Sequence, residues 1–253
     1  MSSGSPTEPY GLPEGPSALQ RLRRILTPAS LGAIRRTRPI SDDWGFDRGA
    51  PVDRYYIERF LFEHRRDIRG RVLEIRESTY TDRYGTAVER RDVMDIDPAN
   101  PQVTVLADLS AADRVSDNLF DCFLVTQTLQ LIYDTRSAIA HAHRILRPGG
   151  VLLATVPSVS RIALGSAFVD YWRFTSASCA RLFGEYFGAE HVTVAAQGNV
   201  LACIAFLLGL AYDELSPTEL DVRDENFPLL VTVRAVKHHS HRLLRGTEPD
   251  HRG

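Results

Sequence analysis

The stretch Ile145-Leu146-Arg147-Pro148-Gly149-Gly150-Val151-Leu152-Leu153 decides the fold. Upstream of it, from Thr135, apolar residues recur with helical period at Ala138, Ile139, Ala142, Ile145 and Leu146. Proline cannot continue a helix, and glycine supplies the backbone angles of a sharp stop. The run Val151 to Val156 then follows as a short, wholly apolar segment. A helix therefore hands over to a buried strand.

The same alternation extends outward. Val72-Leu73-Glu74-Ile75 reads as a first strand, Asp92 to Asp97 as a second, Val103 to Ala107 as a third and Phe120 to Thr126 as a fourth, ahead of the strand from Val151 to Val156. Two further strands, His191 to Ala196 and Leu229 to Val236, flank an apolar helix at 200–211. Strands of near-continuous apolar character joined by helices belong to a mostly parallel sheet covered on both faces. The expected fold is α/β and Rossmann-like, a mostly parallel seven-stranded sheet over residues 67–236 with helices on both faces and an N-terminal helical extension.

Composition agrees with a globular protein. Of 253 residues, 43% are hydrophobic and 25% charged, which excludes a disordered or collagen-like chain. Thirty basic against thirty-two acidic residues leave a net charge of -2, so nothing draws the whole molecule to nucleic acid or to a membrane surface. Cys122, Cys179 and Cys203 each sit in an apolar stretch without metal-site or redox-pair spacing, as expected of core thiols in a reducing compartment. The longest apolar run, Val200 to Ala211, is far short of the roughly 20 residues that span a bilayer. The start of the chain lacks the charged and apolar regions of a secretory signal, and a cytoplasmic location is expected.

Residues 1–16 are rich in Pro, Gly and Ser and are expected to stay unpacked, as is the histidine-rich tail 237–253. Between them, residues 17–66 are expected to form a helical extension or lid. An amphipathic helix places Leu19, Leu22, Ile25 and Leu26 beside Arg21, Arg23 and Arg24, a loop dense in aromatics and charge spans 42–49, and a second helical period covers 52–61. The arginine face reads as solvated rather than as a nucleic-acid or membrane contact. His238, His239 and His241 cluster without a carboxylate shell, so no metal site is expected.

In an open α/β sheet the ligand sits beyond the carboxyl ends of the strands. There the sequence places Arg76-Glu77-Ser78-Thr79-Tyr80, then Asp95-Ile96-Asp97, Asp108, Gln127-Thr128-Leu129-Gln130 and Pro157-Ser158. An acid closing the second strand is placed to take the two hydroxyls of a ribose. One after the third can accept from an adenine amino group.

With these motifs in this order, the chain resembles the class I S-adenosylmethionine-dependent methyltransferases, in particular the small-molecule branch described as type 11. The resemblance covers residues 67–236. It rests on Val72–Ile75, on Asp97 and Asp108 after the next strands, on Phe120-Asp121-Cys122-Phe123-Leu124-Val125-Thr126 and on Ile145–Leu153. The run Asp170-Tyr171-Trp172-Arg173-Phe174-Thr175 is similar to one found in members that act on sugars or glycosylated natural products. The resemblance implies S-adenosylmethionine as cofactor, with Glu74, Ser78, Tyr80, Asp97, Asp108 and Gln127 as its binding residues.

The chain departs from that family in two places. Glycines usually follow the first acidic residue and let the backbone close over the methionine end of the cofactor; here Arg76, Glu77 and Ser78 follow instead. Either the loop takes another path, with Ser78, Thr79 and Tyr80 making the contacts, or cofactor binding is weakened. The short gap from Ile75 to Asp92, with Tyr80, Tyr84 and Val88 on one face, also implies a reduced first helix. After the fourth strand, Gln127-Thr128-Leu129-Gln130 removes the usual histidine. Asp170 becomes the first candidate for a general base, with Asp47 and Tyr171 behind it; the alternative is that Asp170 only orders the loop carrying Trp172 and Arg173.

The expected function is methylation, most readily of a hydroxyl, on a small polar acceptor such as a glycoside or natural-product intermediate. A non-catalytic methyltransferase-like binding or assembly protein is the alternative, and its signature would be Arg76 filling the cofactor space. A nicotinamide-dependent oxidoreductase needs the missing glycines more strictly still. The sequence gives no oligomeric state.

Overall fold

The computed structural model describes Gly32, residues 35–163 and residues 169–238. The expected unpacked start at 1–16, the amphipathic helix beginning at Ser17 and the tail beyond His238 lie outside the described residues. The chain divides into a leading unit, Met1–Arg38, and a compact unit, Pro39–Gly253, which holds every element named below.

Helix α1 (Val52–Glu63) precedes strand β1 (Arg69–Ile75), and a short helix α2 (Thr79–Tyr84) leads to β2 (Ala87–Asp95) and β3 (Val105–Leu106). Strand β4 (Phe120–Thr126), helix α3 (Thr135–Ile145) and strand β5 (Leu146–Pro157) form the next unit. Helix α4 (Ser176–Phe187), β6 (Val192–Gln197), α5 (Val200–Leu208), α6 (Pro217–Asp221) and β7 (Leu230–Val236) complete the order. The seven strands make one sheet ordered β3-β2-β1-β4-β5-β7-β6. Only β7 runs antiparallel to its neighbours, between β5 and β6.

Strand periodicity explains the two layers of core. Along β1 and β4, Leu73, Phe123 and Val125 face α3 and α4, meeting Ile139, Ile145 and Phe183. The intervening Val72, Cys122 and Leu124 face α1 and α5, meeting Ile57, Leu61 and Phe206. Alternate residues thus enter opposite cores, and both faces are dry. Each fully buried Leu or Phe contributes about 1.5–3 kcal/mol.

Helix α3 starts where Asp134 accepts from the Ser137 N–H at 3.0 Å. Helix α4 opens on a capping box between Thr175 and Ser178. Helix α5 ends at Gly209, with φ 73° and so close an approach that a Cβ there would collide with the Ser41 carbonyl oxygen.

Several boundaries differ from the sequence reading. Strand β5 begins at Leu146 rather than Val151, because the Pro-Gly-Gly segment forms a register shift against β4 instead of a turn. Strand β2 starts at Ala87 and ends at Asp95, so Val88 lies on a strand and Asp97 beyond it. β3 is two residues long, and α5 stops at Leu208, before Ala211. The short helix expected after β1 is α2. Residues 39–66 belong to the same compact unit as the sheet: Val52, Tyr56, Ile57, Phe60 and Leu61 are buried, making α1 a layer of the fold. Among the described residues no helix is long and apolar enough to cross a membrane.

Candidate active site

The strand order reverses direction between β1 and β4, and ligands of open α/β sheets bind at such a point, outside the carboxyl ends. A cleft of about 290 Å³ lies there. Arg76 enters it from the end of β1, Gln127 and Gln130 from the end of β4, and Pro157 and Arg161 from the end of β5. Asp53 and Arg54 from α1, Trp44 from the preceding loop, and Asp170 and Arg173 from the segment before α4 complete the wall.

The backbone is strained around this cleft. Among the described residues four non-glycine residues have positive φ: Trp44 (52°), Arg76 (69°), Asn118 (53°) and Gln127 (46°). All but Asn118 line the cleft. Left-handed backbone costs an L-residue roughly 1–2 kcal/mol, and such strain collects at functional sites. Arg76 is fixed by its N–H donating to the Met94 carbonyl at 2.9 Å and its carbonyl accepting from Asn100 Nδ2 at 2.7 Å. Its side chain is exposed, so it borders the mouth and does not plug the cleft. The chain keeps a glycine-like turn after β1 with an arginine in it.

The residues expected to hold the cofactor fall into separate groups. Gln127 lines the cleft. Glu74 is buried beneath it and clamps the first turn of α2: one oxygen accepts from Tyr80 N–H at 3.0 Å, the other from Thr81 N–H at 2.8 Å and Thr81 Oγ1 at 2.7 Å. These are orphan donors of a helix start, which Ser78 does not cap because its hydroxyl donates to Asp82 at 2.9 Å. Burial pushes the Glu74 carboxyl up to about 7. Tyr80 packs into the α1-side core, its ring 6.3 Å from Tyr84.

At the end of β2 the buried acid is Asp95, which sequence reasoning passed over in favour of Asp97. Asp95 accepts from Asn100 Nδ2 at 2.7 Å and from Asp97 N–H at 3.1 Å. Although burial opposes it, this hydrogen bonding holds its carboxyl below the usual range. Asp97 is exposed and accepts from Ala99 N–H at 2.8 Å. Asp108 is exposed and caps the turn at Leu109–Ala111 through Ser110.

The three expected bases are likewise dispersed. Asp170 lines the cleft, but Arg173 takes both oxygens, at 2.6 and 3.0 Å, and holds the carboxyl below its ordinary value. Arg173 also donates to the Arg161 carbonyl at 2.8 Å, tying the wall together. Tyr171 is 45% exposed with its ring 5.3 Å from Tyr133, away from the cleft lining. Asp47 accepts from the Ser41 hydroxyl and orders the 41–49 loop, whose Trp44 and Phe46 reach the cleft.

The sequence placed Gln130 beyond the fourth strand and Trp44 in an aromatic loop without giving either a role, and it did not single out Asp53 or Arg161. Yet the buried side-chain polar atoms without a hydrogen-bond partner, among the described residues, are Asp53 Oδ1, Gln127 Nε2, Gln130 Oε1 and Arg161 Nε. All four residues line this cleft. Buried polar atoms are almost always paired, so two donors and two acceptors left open in one place define a polar ligand site. Burial pushes the Asp53 carboxyl up. The Arg161 guanidinium lies over the Trp44 ring at 3.7 Å.

Residues 75–154 match the family model of a methyltransferase domain. No curated protein matches the chain significantly in sequence. Solved structures similar to it include a 1,6-didemethyltoxoflavin-N1-methyltransferase from Burkholderia thailandensis, at 18% identity and TM-score 0.46, covering 73% of this chain and 77% of the other. A second is the YcgJ protein of Bacillus subtilis, at 12% identity and TM-score 0.45, covering 73% and 99%. A third, from Thermotoga maritima, is named an S-adenosylmethionine-dependent methyltransferase, with 18% identity, TM-score 0.45 and coverage of 73% and 93%.

The matched segment, residues 75–154, runs from the last residue of β1 into β5 of the seven-stranded sheet and carries the likeness to a methyltransferase domain. The acid closing β2, Asp95, and the amides of Gln127 and Gln130 after β4 could hold the hydroxyls of a nucleoside and the charged ends of an amino acid.

Proposed function

We propose that the protein transfers a methyl group from S-adenosylmethionine to a hydroxyl of a small polar acceptor held in the cleft, a glycoside or natural-product intermediate being the class in view. The coincidence of all four orphaned polar atoms in one cleft at the switch point carries this reading. A volume of about 290 Å³ suits a small molecule rather than a polymer.

Bound S-adenosylmethionine supplies a methyl already activated on a sulfonium, so the protein's tasks are positioning and proton removal. Asp95 is the acceptor for ribose hydroxyls. Gln127 Nε2 would donate to the methionyl carboxylate and Gln130 Oε1 would accept from the methionyl ammonium. Asp53 takes the acceptor's hydroxyl proton: its Oδ1 is buried and unpartnered on a residue that lines the cleft, whereas Asp170 is neutralised by Arg173. A base with a raised pKa is better matched to neutral pH than one held low. Asp170 and Arg173 shape the wall.

The test is transfer of a labelled methyl from S-adenosylmethionine to a panel of small phenols, sugars and hydroxy acids. The reading predicts label on oxygen in at least one of them. Label exclusively on nitrogen contradicts the hydroxyl assignment.

A further inference from the structure

We propose that the acceptor is an anion and that Arg161 selects it through a carboxylate or similar small oxyanion. This rests on the reading of the cleft as the acceptor site. Four arginines and two aspartates line the cleft, a formal excess of two positive charges. Asp170 is matched to Arg173, and Asp53 lies 3.9 Å from Arg54. Arg76 is exposed at the mouth and has a partner of its own. Arg161 is the remaining cation. Among the described residues it forms no ion pair, and its Nε is buried with no hydrogen bond.

The geometry around Arg161 is that of an oxyanion receptor. The Arg161 guanidinium carbon lies 3.7 Å from the Trp44 ring centroid, so the indole covers a face of the group and gives its in-plane Nε no hydrogen bond. A guanidinium edge matches the two oxygens of a carboxylate. The Arg173 bond to the Arg161 carbonyl fixes the backbone beneath. Electrostatics point the same way: a positive wall in a poorly hydrated cleft repels a sulfonium, and an anionic acceptor bound between them attracts both. The same edge would also suit the methionyl carboxylate of the cofactor, so the experiment separates the two.

The chain has two tryptophans, so Trp172→Phe leaves Trp44 as the only tryptophan, against Arg161 and excited selectively near the red edge of the absorption band. The full-length Trp172→Phe protein is titrated with S-adenosylhomocysteine and then, saturated with it, with benzoate, 4-hydroxybenzoate, glucuronate and inorganic phosphate, alongside 4-hydroxybenzamide as a neutral counterpart. At least one anion should shift Trp44 emission saturably, with the amide weaker by about tenfold or more. Arg161→Gln should weaken the anion by about tenfold and leave S-adenosylhomocysteine within about threefold, with Arg161→Lys between them. Unchanged melting temperatures show that both variants fold.

Equal binding of the amide, no response to any anion, or indifference to Arg161→Gln overturns the proposal. Loss of S-adenosylhomocysteine binding in Arg161→Gln also overturns it, assigning Arg161 to the cofactor. Failure of S-adenosylhomocysteine to bind the Trp172→Phe parent and the wild-type chain overturns the methyltransferase reading itself, a separate outcome.

Discussion

Arg76 and Gln127 end two neighbouring parallel strands, share the left-handed backbone that glycine adopts freely, and border the same cleft. The fold holds both against their intrinsic preference through the bonds that anchor them: Arg76 to Met94 and Asn100, Gln127 N–H to the Thr155 carbonyl at 2.9 Å. Arg76→Gly releases one such strain while adding chain entropy, for a stability change between zero and a gain of about 1 kcal/mol. Arg76→Ile, β-branched at positive φ, loses about 1–2 kcal/mol. Urea denaturation of the three proteins checks the order.

Asp53 and Asp170 separate chemistry from architecture. With an acceptor in hand, Asp53→Asn lowers turnover by about 10²-fold or more, leaves S-adenosylhomocysteine affinity near wild type and costs less stability than Asp170→Ala, because its Oδ1 has no partner and only the 3.9 Å pairing with Arg54 is lost. Asp170→Ala strands Arg173 and costs about 2–3 kcal/mol of stability. Parallel transfer assays and urea curves on both variants distinguish the roles; equal turnover in Asp53→Asn removes it as the base.

Glu74 makes stability depend on pH. Its carboxyl titrates at about 7 in the fold against an ordinary 4.5, so the folded chain binds the extra proton between those values. Its contribution is complete below the unfolded value and is lost as pH rises through about 7, an effect on the order of 3 kcal/mol. Asp170 acts oppositely: its lowered pKa gives stability present above about 4 and lost as pH falls through the folded value. Urea midpoints from pH 3 to 8 should show both arms, and Glu74→Gln should flatten only the upper one.

Gly209 locks the loop that carries Trp44. Its φ of 73° and its contact with Ser41 leave no room for a side chain. Gly209→Ala should cost about 2 kcal/mol or more and, by displacing the 41–49 loop, shift Trp44 emission in the Trp172→Phe background.

The sheet was legible because its strands are buried on both faces and announce themselves as apolar runs, as Phe120–Thr126 does. Boundaries were less so: Asp95 and Asp97 are both acids after an apolar run, and only the β2–β3 pairing shows that the strand stops at Asp95. Gln127 was found because it directly follows a strand. Asp53 was not, because helical periodicity marks it as one polar residue among several on α1; packing of α1 on the sheet is what buries it at the cleft. Arg161 likewise gains meaning only from Trp44, more than a hundred residues earlier in the chain. The Asp170–Arg173 pair is local, three residues apart, and the alternative in which Asp170 orders its loop was readable from that spacing.

The most direct test of the central claim is calorimetric titration of the full-length protein with S-adenosylhomocysteine. The account predicts saturable one-to-one binding in the micromolar range, weakened about tenfold by Asp95→Ala and by Gln127→Ala. No heat and no thermal shift in the wild-type chain would contradict it, because the orphaned groups at the switch point would then not serve a methyl donor.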